Sequence, residues 1–374
     1  MTAVLTSARQ AYRQARPFGV TILFAAAALT IALTGARAIG DIIGPVFLAM
    51  VITISLHPIR MWLERHRLPE WAASVVLLLA AYLVLFLLTL ALIVSVAQVA
   101  ELLPQYSDQL AQLVADAGNT LKSLGVQQEQ INAIAQAIDP GQLVALAGTV
   151  LSSTLGVLSN VFFLIVLLFF MAFDTDATRR SVAVLGTRVP DVAAALSSFA
   201  RGARNYMGVT TGFGFVVAVL DGAALVILGV PGAFVWSVLA FVTNFIPDIG
   251  FVIGVIPPAL IALLEGGPGL MIAVIVAYSV VNFLIQSVIQ PRVVGDAVGL
   301  TALFTFLSLA FWAWLIGPLG ALLAVPLTLL ARALLIETNP RLAWALPLIA
   351  GKAEPPEKSE PEHPQKEATG TSSK

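Results

Sequence analysis

Residues 244–295 read NFIPDIGFVIGVIPPALIALLEGGPGLMIAVIVAYSVVNFLIQSVIQPRVVG, an apolar sequence that proline, glycine, carboxylate and amide residues interrupt repeatedly. In membrane hydrocarbon every backbone N–H and C=O needs a partner within the protein. Helix breaks such as Pro247, Gly250 and Pro257 are therefore tolerated only where protein or a water-filled cavity surrounds them. Paired interrupted segments are typical of binding regions inside membrane carriers. The stretch predicts a polar path through the bilayer.

The whole chain has the composition of a membrane protein. Of its 374 residues, 59% are hydrophobic and 11% are charged, against about 25% charged residues in an ordinary soluble domain. Several apolar runs reach the roughly 20 residues that a helix needs to cross about 30 Å of hydrocarbon. We therefore predict an all-α polytopic membrane protein embedded in the lipid bilayer.

The composition also excludes several kinds of site. The chain contains no cysteine, which excludes disulfides, thiolate nucleophiles and cysteine-ligated metals. Its three histidines, His57, His66 and His363, are too scattered to form a histidine-rich metal site. It has no GxxxxGKS or GxxxxGKT loop, no HExxH pair and no Ser-His-Asp order. We expect neither an enzyme nor an ATP-driven pump, and no cofactor, metal or nucleic-acid partner.

Hydropathy and helix breaks divide the chain into about six full spans and two hairpins broken by proline and glycine, which makes eight or more membrane segments. The six spans are predicted at residues 18–34, 42–59, 71–97, 151–173, 205–229 and 270–289. The first hairpin covers 234–265 and is broken at 244–250, whereas the second covers 301–336 and is broken at 317–320 and at Pro326. The helix-break or hinge candidates are Pro247, Gly250, Pro257, Pro291, Gly295, Pro318, Gly320 and Pro326.

Charge assigns these segments to the two sides of the membrane. Of the 20 lysines and arginines, only Arg37 and Lys122 fall in predicted outer loops, Arg37 in a tight outer turn at 35–41. This asymmetry fits the positive-inside rule if both termini are cytoplasmic. The resulting organisation is a cytoplasmic basic arm (1–17), a three-span scaffold (18–97), an extracytoplasmic insert of amphipathic helices (98–150), a two-span scaffold (151–229) with a cytoplasmic loop (174–204), a hairpin–span–hairpin transport region (230–340) and a disordered cytoplasmic tail (341–374).

The insert at 98–150 is acidic and carries apolar residues at helical spacing. Two interpretations stay open. Its helices cap the protein or lie on the membrane surface, or they hold the subunits of a homo-oligomer together.

Six polar residues are candidates for the substrate path: Asn244, Asp248, Asn282, Gln286, Gln290 and Arg292. Asn282, Gln286 and Gln290 are spaced four apart and share one helix face. Such amides either line a polar path or form hydrogen bonds between helices, each contributing about 0.6–2 kcal/mol. Asp248 could instead cap a helix start. Arg292 could hold an anionic group or extend to the membrane interface.

One further carboxylate, Asp221, lies well inside an apolar run. A carboxylate in that position must face protein, water or a partner. Asp221 and Asp248 are therefore the candidates for ion coupling.

Four segments carry a resemblance to a known family: NFIPDIG at 244–250, IPPALIALLEGG at 256–267, IQSVIQPRVVG at 285–295 and GPLGALLAVPLTLL at 317–330. Together they resemble the autoinducer-2 exporter (AI-2E) family of bacterial inner-membrane proteins, the PerM-like permeases, over about residues 15–340. The resemblance implies a multi-pass transporter of the bacterial inner membrane that exports a small polar metabolite. Some members look like sodium or lithium/proton antiporters. Members commonly carry an acidic residue where this chain has Gln286, whereas Asp221 and Asp248 stand where neutral or aromatic residues are more usual.

Three hypotheses for the function follow. The first is a secondary carrier or facilitator for a small molecule such as an autoinducer-2-like signal. The second is a cation (sodium or lithium)/proton antiporter that uses Asp248 or Asp221, and the third is a membrane scaffold without flux, in which the amides only join helices. For a carrier, glycine-rich junctions at both ends of 270–289 predict that the two hairpins and this span move as one body against the preceding spans.

Overall fold

The computed structural model shows a bundle of helices. It describes residues 18–105, 161–247, 249–290 and 300–339, with isolated positions at 112, 118, 122, 123, 292 and 342. Every regular element in these ranges is a helix. The predicted fold class, an all-α polytopic membrane protein, is confirmed.

The chain order gives eleven α-helices and two π-helices within the described ranges. They are α1 (Phe18–Ala38), α2 (Gly40–Arg65), α3 (Glu70–Gln105), α4 (Val161–Phe173), α5 (Thr175–Arg188), α6 (Pro190–Ile227), α7 (Ala233–Thr243), α8 (Gly250–Asn282), π1 (Phe283–Ile289), α9 (Ala302–Ile316), α10 (Pro318–Leu322), α11 (Ala324–Arg332) and π2 (Ala333–Glu337). Five described segments are long and apolar enough to cross a membrane: α1, α2, α3, α6 and α8 with π1. The predicted span at 151–173 is described only from Val161, where it forms α4.

The segment at 174–204, predicted as a cytoplasmic loop, is helical in the structure. It contains α5 and the start of α6, which runs without interruption from Pro190 to Ile227. Its charged residues suggested a loop, but proline at the first helical position and the alanines that follow favour a helix. The predicted turn at 35–41 is also shorter, because α1 ends at Ala38 and α2 begins at Gly40.

The first predicted hairpin is built from α7 and the first half of α8, with a break between Thr243 and Gly250. α8 passes through Pro257 without a break, contrary to the prediction, and is interrupted instead at Gly267, where φ is +72° and ψ is −167°. A membrane helix tolerates an internal proline when neighbouring helices satisfy the freed backbone group. Both halves of α8 contribute to one core cluster, so the chain folds back at Gly267.

The second predicted hairpin is broken as expected between α9 and α10. Gly317 has a φ of +77°, a conformation that favours glycine, and Pro318 begins α10. Gly320 is buried against the backbone carbonyl of Trp312, which leaves no room for a side chain. Pro326 lies buried inside α11 and does not interrupt it.

α6 is the helix on which both hairpins pack. Its N-terminal half joins α2 and α11 in one core cluster around Phe199 and Leu329. Its other end joins α7 and both halves of α8 in a second cluster around Leu225 and Trp236. A third cluster holds α2, α3 and α4 together. Polar residues on α6 therefore lie next to the helices of the two broken hairpins.

Candidate functional site

Small residues let the helix break after α7 approach both α6 and α8 closely. A Cβ atom on Gly214 would lie 2.6 Å from Nδ2 of Asn244, and one on Gly254 would lie 2.9 Å from Oγ1 of Thr243. Glycine at such contacts is the usual means of close helix packing in membranes. Two hydrogen bonds fix the break to α6: Asn244 Nδ2 donates to the Thr210 carbonyl over 3.3 Å, and the Tyr206 hydroxyl donates to the Phe245 carbonyl over 3.3 Å.

Three predicted path residues meet at this point, and we call Asn244, Asn282 and Gln286 the amide cluster. Gln286 Nε2 donates to Asn244 Oδ1 and to Asn282 Oδ1, each over 3.0 Å. Asn282 Nδ2 in turn donates to the Tyr278 carbonyl over 2.9 Å. A glutamine amide nitrogen carries two hydrogens, so both of its donors are used within the cluster. The cluster joins the break after α7 to the end of α8.

The backbone changes its winding where the cluster forms. Asn282 ends α8, and Gln286 lies inside π1, the seven-residue π-helix that follows. Short π-helical turns are rare and occur frequently at functional sites. Gln286 is exposed whereas Asn282 is buried, so the cluster extends from the interior of the protein to its surface.

A small cavity lies beside the cluster, between α6, α7 and α8. It is lined by Val217, Asp221, Ala240, Thr243, Asn244, Phe251, Gly254, Tyr278 and Asn282, and it leaves about 10 Å³ for the centre of a water-sized sphere. That volume is room for about one water molecule. Asn244 and Asn282 belong both to this lining and to the amide cluster.

Asp221 and Tyr278 are the titratable groups of this lining. Each side chain is 1% exposed. The two carboxylate oxygens of Asp221 and the hydroxyl of Tyr278 have no hydrogen-bond partner in the described part of the chain. Asp221 and Asn282 both line this cavity, but the geometry between their side chains falls short of a hydrogen bond. Buried polar groups without a partner are uncommon and point to a bound species or a functional role.

The cavity and the cluster together form a polar column along α6. Thr210, Gly214 and Asp221 lie on the same face of that helix, because each contacts the cluster or the cavity. At about 1.5 Å of rise per residue, the column extends roughly 16 Å from Thr210 to Asp221. This is about half of the hydrocarbon thickness.

The remaining predicted path residues lie elsewhere. Gln290 is half-buried, and within the described ranges only its backbone N–H, which donates to the Ile285 carbonyl, forms a hydrogen bond, so the predicted amide stripe ends at Gln286. Arg292 is exposed. Asp248, Pro291 and Gly295 fall outside the residues that the structure describes. Among the described residues, no group of three His, Cys, Asp or Glu side chains could hold a metal ion.

The sequence analysis missed three polar members of the site: Tyr278, Thr243 and Thr210. Tyr278 precedes Asn282 by four residues, the spacing that linked the amides, so the same argument could have found it. The two threonines gave no signal, since threonine commonly bonds to carbonyls of its own helix, as Thr243 does to the Ala240 carbonyl over 3.3 Å.

Two other cavities differ in character from the polar column. One of about 70 Å³ lies between α2, α3 and α4, where the buried Arg60 pairs with Glu64 over 2.7 Å. The other is an open apolar groove of about 680 Å³ between α3, α6 and α7, lined by residues such as Leu87, Phe215 and Phe241. In the first cavity the charge of Arg60 is neutralised by Glu64. The groove has almost no polar atoms in its lining.

Comparison with known proteins gives a consistent result. The family model for AI-2E family transporters matches residues 20–339. The AI-2 transport protein TqsA of Escherichia coli K12 is 30% identical over 320 residues, which cover 86% of this chain and 93% of TqsA. A candidate transport protein of Haemophilus influenzae is 31% identical over 330 residues, with 86% and 93% of the two chains covered. The candidate transport protein YhhT of Escherichia coli K12 is 28% identical over 310 residues, with 83% and 88% covered.

Proposed function

The chain belongs to the AI-2E transporter family, and from this premise we propose that it is a secondary carrier or facilitator that moves a small polar solute across the bacterial inner membrane. It is a multi-pass membrane protein, as its five long apolar helices and its family indicate. The proposal concerns what passes through it, by which path and in which direction.

The amide cluster is the observation that supports the path. Asn244, Asn282 and Gln286 are uncharged and offer both donors and acceptors, which match the hydroxyl and carbonyl groups of a polar solute. Hydrogen bonds between membrane helices contribute only about 0.6–2 kcal/mol each. A solute that replaces the two bonds of Gln286 can therefore open the cluster at little cost. Because Gln286 is exposed, it is the group that a solute meets first.

The relatives give a candidate for the solute. One of them is named an AI-2 transport protein, and a small polar signal of that kind suits a site built from amides. We propose export of such a metabolite; the distribution of lysine and arginine supports this direction, because it favours a cytoplasmic position for the end of the 270–289 span, where the exposed Gln286 lies. No chemical conversion is expected of this chain, since the site presents amides rather than a nucleophile with its base.

We further propose that both termini are cytoplasmic and that the protein is a homo-oligomer joined through its extracytoplasmic segment at 98–150. The orientation rests on the distribution of lysine and arginine. The oligomer rests on the amphipathic pattern of this segment, which lies almost entirely outside the described residues.

Asp221 gives specific support to the antiporter as a second candidate, because a buried carboxylate inside a membrane span is a common feature of ion pathways. A scaffold without flux would need the same amides for helix packing alone. The antiporter would move ions in place of a solute, whereas the scaffold would move nothing across the membrane.

Reconstitution tests these functions. Purified protein in liposomes would be offered a panel of labelled small polar metabolites, with and without sodium and proton gradients, beside protein-free liposomes. A carrier should take up one class of solute, either down the solute's own gradient or driven by an imposed ion gradient, at a rate above that of protein-free vesicles. Proton-linked sodium or lithium flux without solute uptake would favour the antiporter, and no flux of any kind would favour the scaffold.

A further inference from the structure

We propose that Asp221 is a proton-binding group, which holds its proton while the cavity is closed and exchanges it when the amide cluster opens. This inference rests on the proposed transport function, since it assigns to the same path the ion that couples to it. It begins from the placement of Asp221 between α6, α7 and α8, where neither carboxyl oxygen has a hydrogen-bond partner among the residues that the structure describes.

Among the described residues that line the cavity around Asp221, none carries a positive charge. The cavity lining contributes no titratable side chain from α7, and from α8 only Tyr278. An ionised carboxylate without a counter-charge in an apolar interior is very costly, and buried acids avoid this cost by taking up a proton. A protonated carboxyl also becomes a hydrogen-bond donor, which the neighbouring Tyr278 hydroxyl could accept directly or through the one water that the cavity can hold.

A proton fits this cavity better than a metal ion. Besides the carboxyl group, the lining offers four polar side chains: Thr243, Asn244, Tyr278 and Asn282. The oxygens of Asn244 and Asn282 already accept hydrogen bonds from Gln286, and the available space holds about one water. A metal ion would have to replace its hydration shell with several oxygens in this space, whereas a proton needs one acceptor.

The amide cluster controls access to Asp221. Asn244 and Asn282 form part of the cavity wall, and Gln286 joins them on the exposed side. When a solute takes the hydrogen bonds of Gln286, this wall loses its link and the cavity opens toward the exposed side. Proton exchange at Asp221 and solute binding at the amides would thus depend on each other.

Carbodiimide labelling tests the inference on the intact protein. A hydrophobic carbodiimide reacts with a protonated carboxyl group: the acid adds across the C=N bond, its proton passes to nitrogen, and the adduct rearranges to a stable N-acylurea without a leaving group. Mass spectrometry of protein in liposomes should find the adduct on Asp221 at acid pH and much less of it at alkaline pH. Asp221→Asn should abolish the adduct at this position.

Two variants test the role of the cluster in access. Gln286→Leu removes both bonds of the Gln286 amide, and its labelling of Asp221 should be several-fold faster than in the native protein. Gln290→Leu makes the same change one turn away, where the described part of the chain shows only a backbone hydrogen bond, which leucine keeps, and should label at the native rate. Equal rates in the two variants would overturn the gating role. Absence of the adduct from Asp221 in native protein and in Gln286→Leu at acid pH would overturn the proton site.

The outcome separates this inference from the proposed transport function. Labelling that sodium suppresses at constant pH would replace the proton with a metal ion and overturn the inference. Solute flux that is unchanged in Asp221→Asn, with the same dependence on an imposed pH gradient as native protein, would also overturn it while the carrier function stands. Protonation-dependent labelling in a protein that moves no solute would leave the proton site in place and contradict the carrier.

Discussion

Gln286 Nε2 lies 3.0 Å from Asn244 Oδ1, across a sequence separation of 42 residues. This contact joins π1 to the break between α7 and α8, so two irregular parts of the described backbone share one hydrogen bond. Interrupted membrane helices need polar partners from other segments. The amide cluster supplies such a partner, and its exposed end makes the same groups available to a solute.

Gly214→Ala is expected to lower solute flux while the protein stays folded. The added Cβ would lie 2.6 Å from Asn244 Nδ2, and the Asn244 amide must turn away from Thr210 and Gln286 to make room. Gly212→Ala is the matched control on α6, because nothing lies within 4 Å of its Cβ. Flux in liposomes, with size-exclusion profiles in detergent, compares the two. Equal flux in both variants would contradict a role for the Asn244 position.

Gly267→Ala is expected to destabilise the protein by about 1–3 kcal/mol, because a φ of +72° with a ψ of −167° is a conformation that essentially only glycine adopts without strain. Gly269→Ala serves as the control, since Gly269 has no positive φ and no atom within 4 Å of its added Cβ. Thermal unfolding in detergent measures the difference. A Gly267→Ala midpoint equal to that of Gly269→Ala would show that the fold at Gly267 is not needed.

Two engineered disulfides test whether the hairpins move against the preceding helices. The Cβ of Gly222 on α6 would lie 3.2 Å from the Ser237 Cβ on α7, and that of Gly44 on α2 would lie 3.4 Å from the Leu319 Cβ on α10. Both distances are near the roughly 3.5–4.5 Å of natural disulfides. If residues 230–340 move as one body, each oxidised double-cysteine variant should lose flux and regain it on reduction.

The controls are the four single-cysteine variants under the same oxidant, which the native absence of cysteine makes clean. Each hairpin packs on α6 in a separate core cluster, so the two tethers report on different contacts. Efficient crosslinking at both positions with unchanged flux would rule out the moving body and favour a static channel with a local gate.

The predicted topology places Arg65 inside and Asp116 outside, because only Arg37 and Lys122 among the 20 basic residues fall in outer loops. Cysteine at position 116 should react with a membrane-impermeant thiol reagent added to intact cells. Cysteine at position 65 should react only after the cells are opened. The reverse pattern would invert the topology and with it the proposed direction of transport.

The sequence predicted the helix breaks at 244–250 and 317–320 because glycine and proline act locally on the backbone. It did not predict that α8 would continue through Pro257 and fold at Gly267. Whether a helix tolerates a proline depends on the packing around it, and here Gly254 lets Thr243 approach that half of α8. This contact is a tertiary contact, and no periodic pattern in the sequence indicates it.

The amides of the site were predicted from their spacing along one helix, but the cavity was not. Asp221 and Tyr278 meet only because α6 packs against the second half of α8, and no local pattern links the two residues. Likewise, Gln286 belongs to the site because Asn244, which lies in the break after α7, is within hydrogen-bond distance of it. Sequence spacing identifies which residues share a helix face, whereas the partner of that face is decided by the fold.

The central claim, that the amide cluster is the transport path, is tested most directly by comparing initial flux in liposomes for Gln286→Leu and Gln290→Leu. Both changes remove one amide from the same region, but only Gln286 bonds to Asn244 and Asn282. Losing these two bonds should cost only about 1 kcal/mol each, so both variants should express and insert. The account predicts that flux falls in Gln286→Leu and stays native in Gln290→Leu. Native flux in Gln286→Leu, with equal protein in the liposomes, would contradict it.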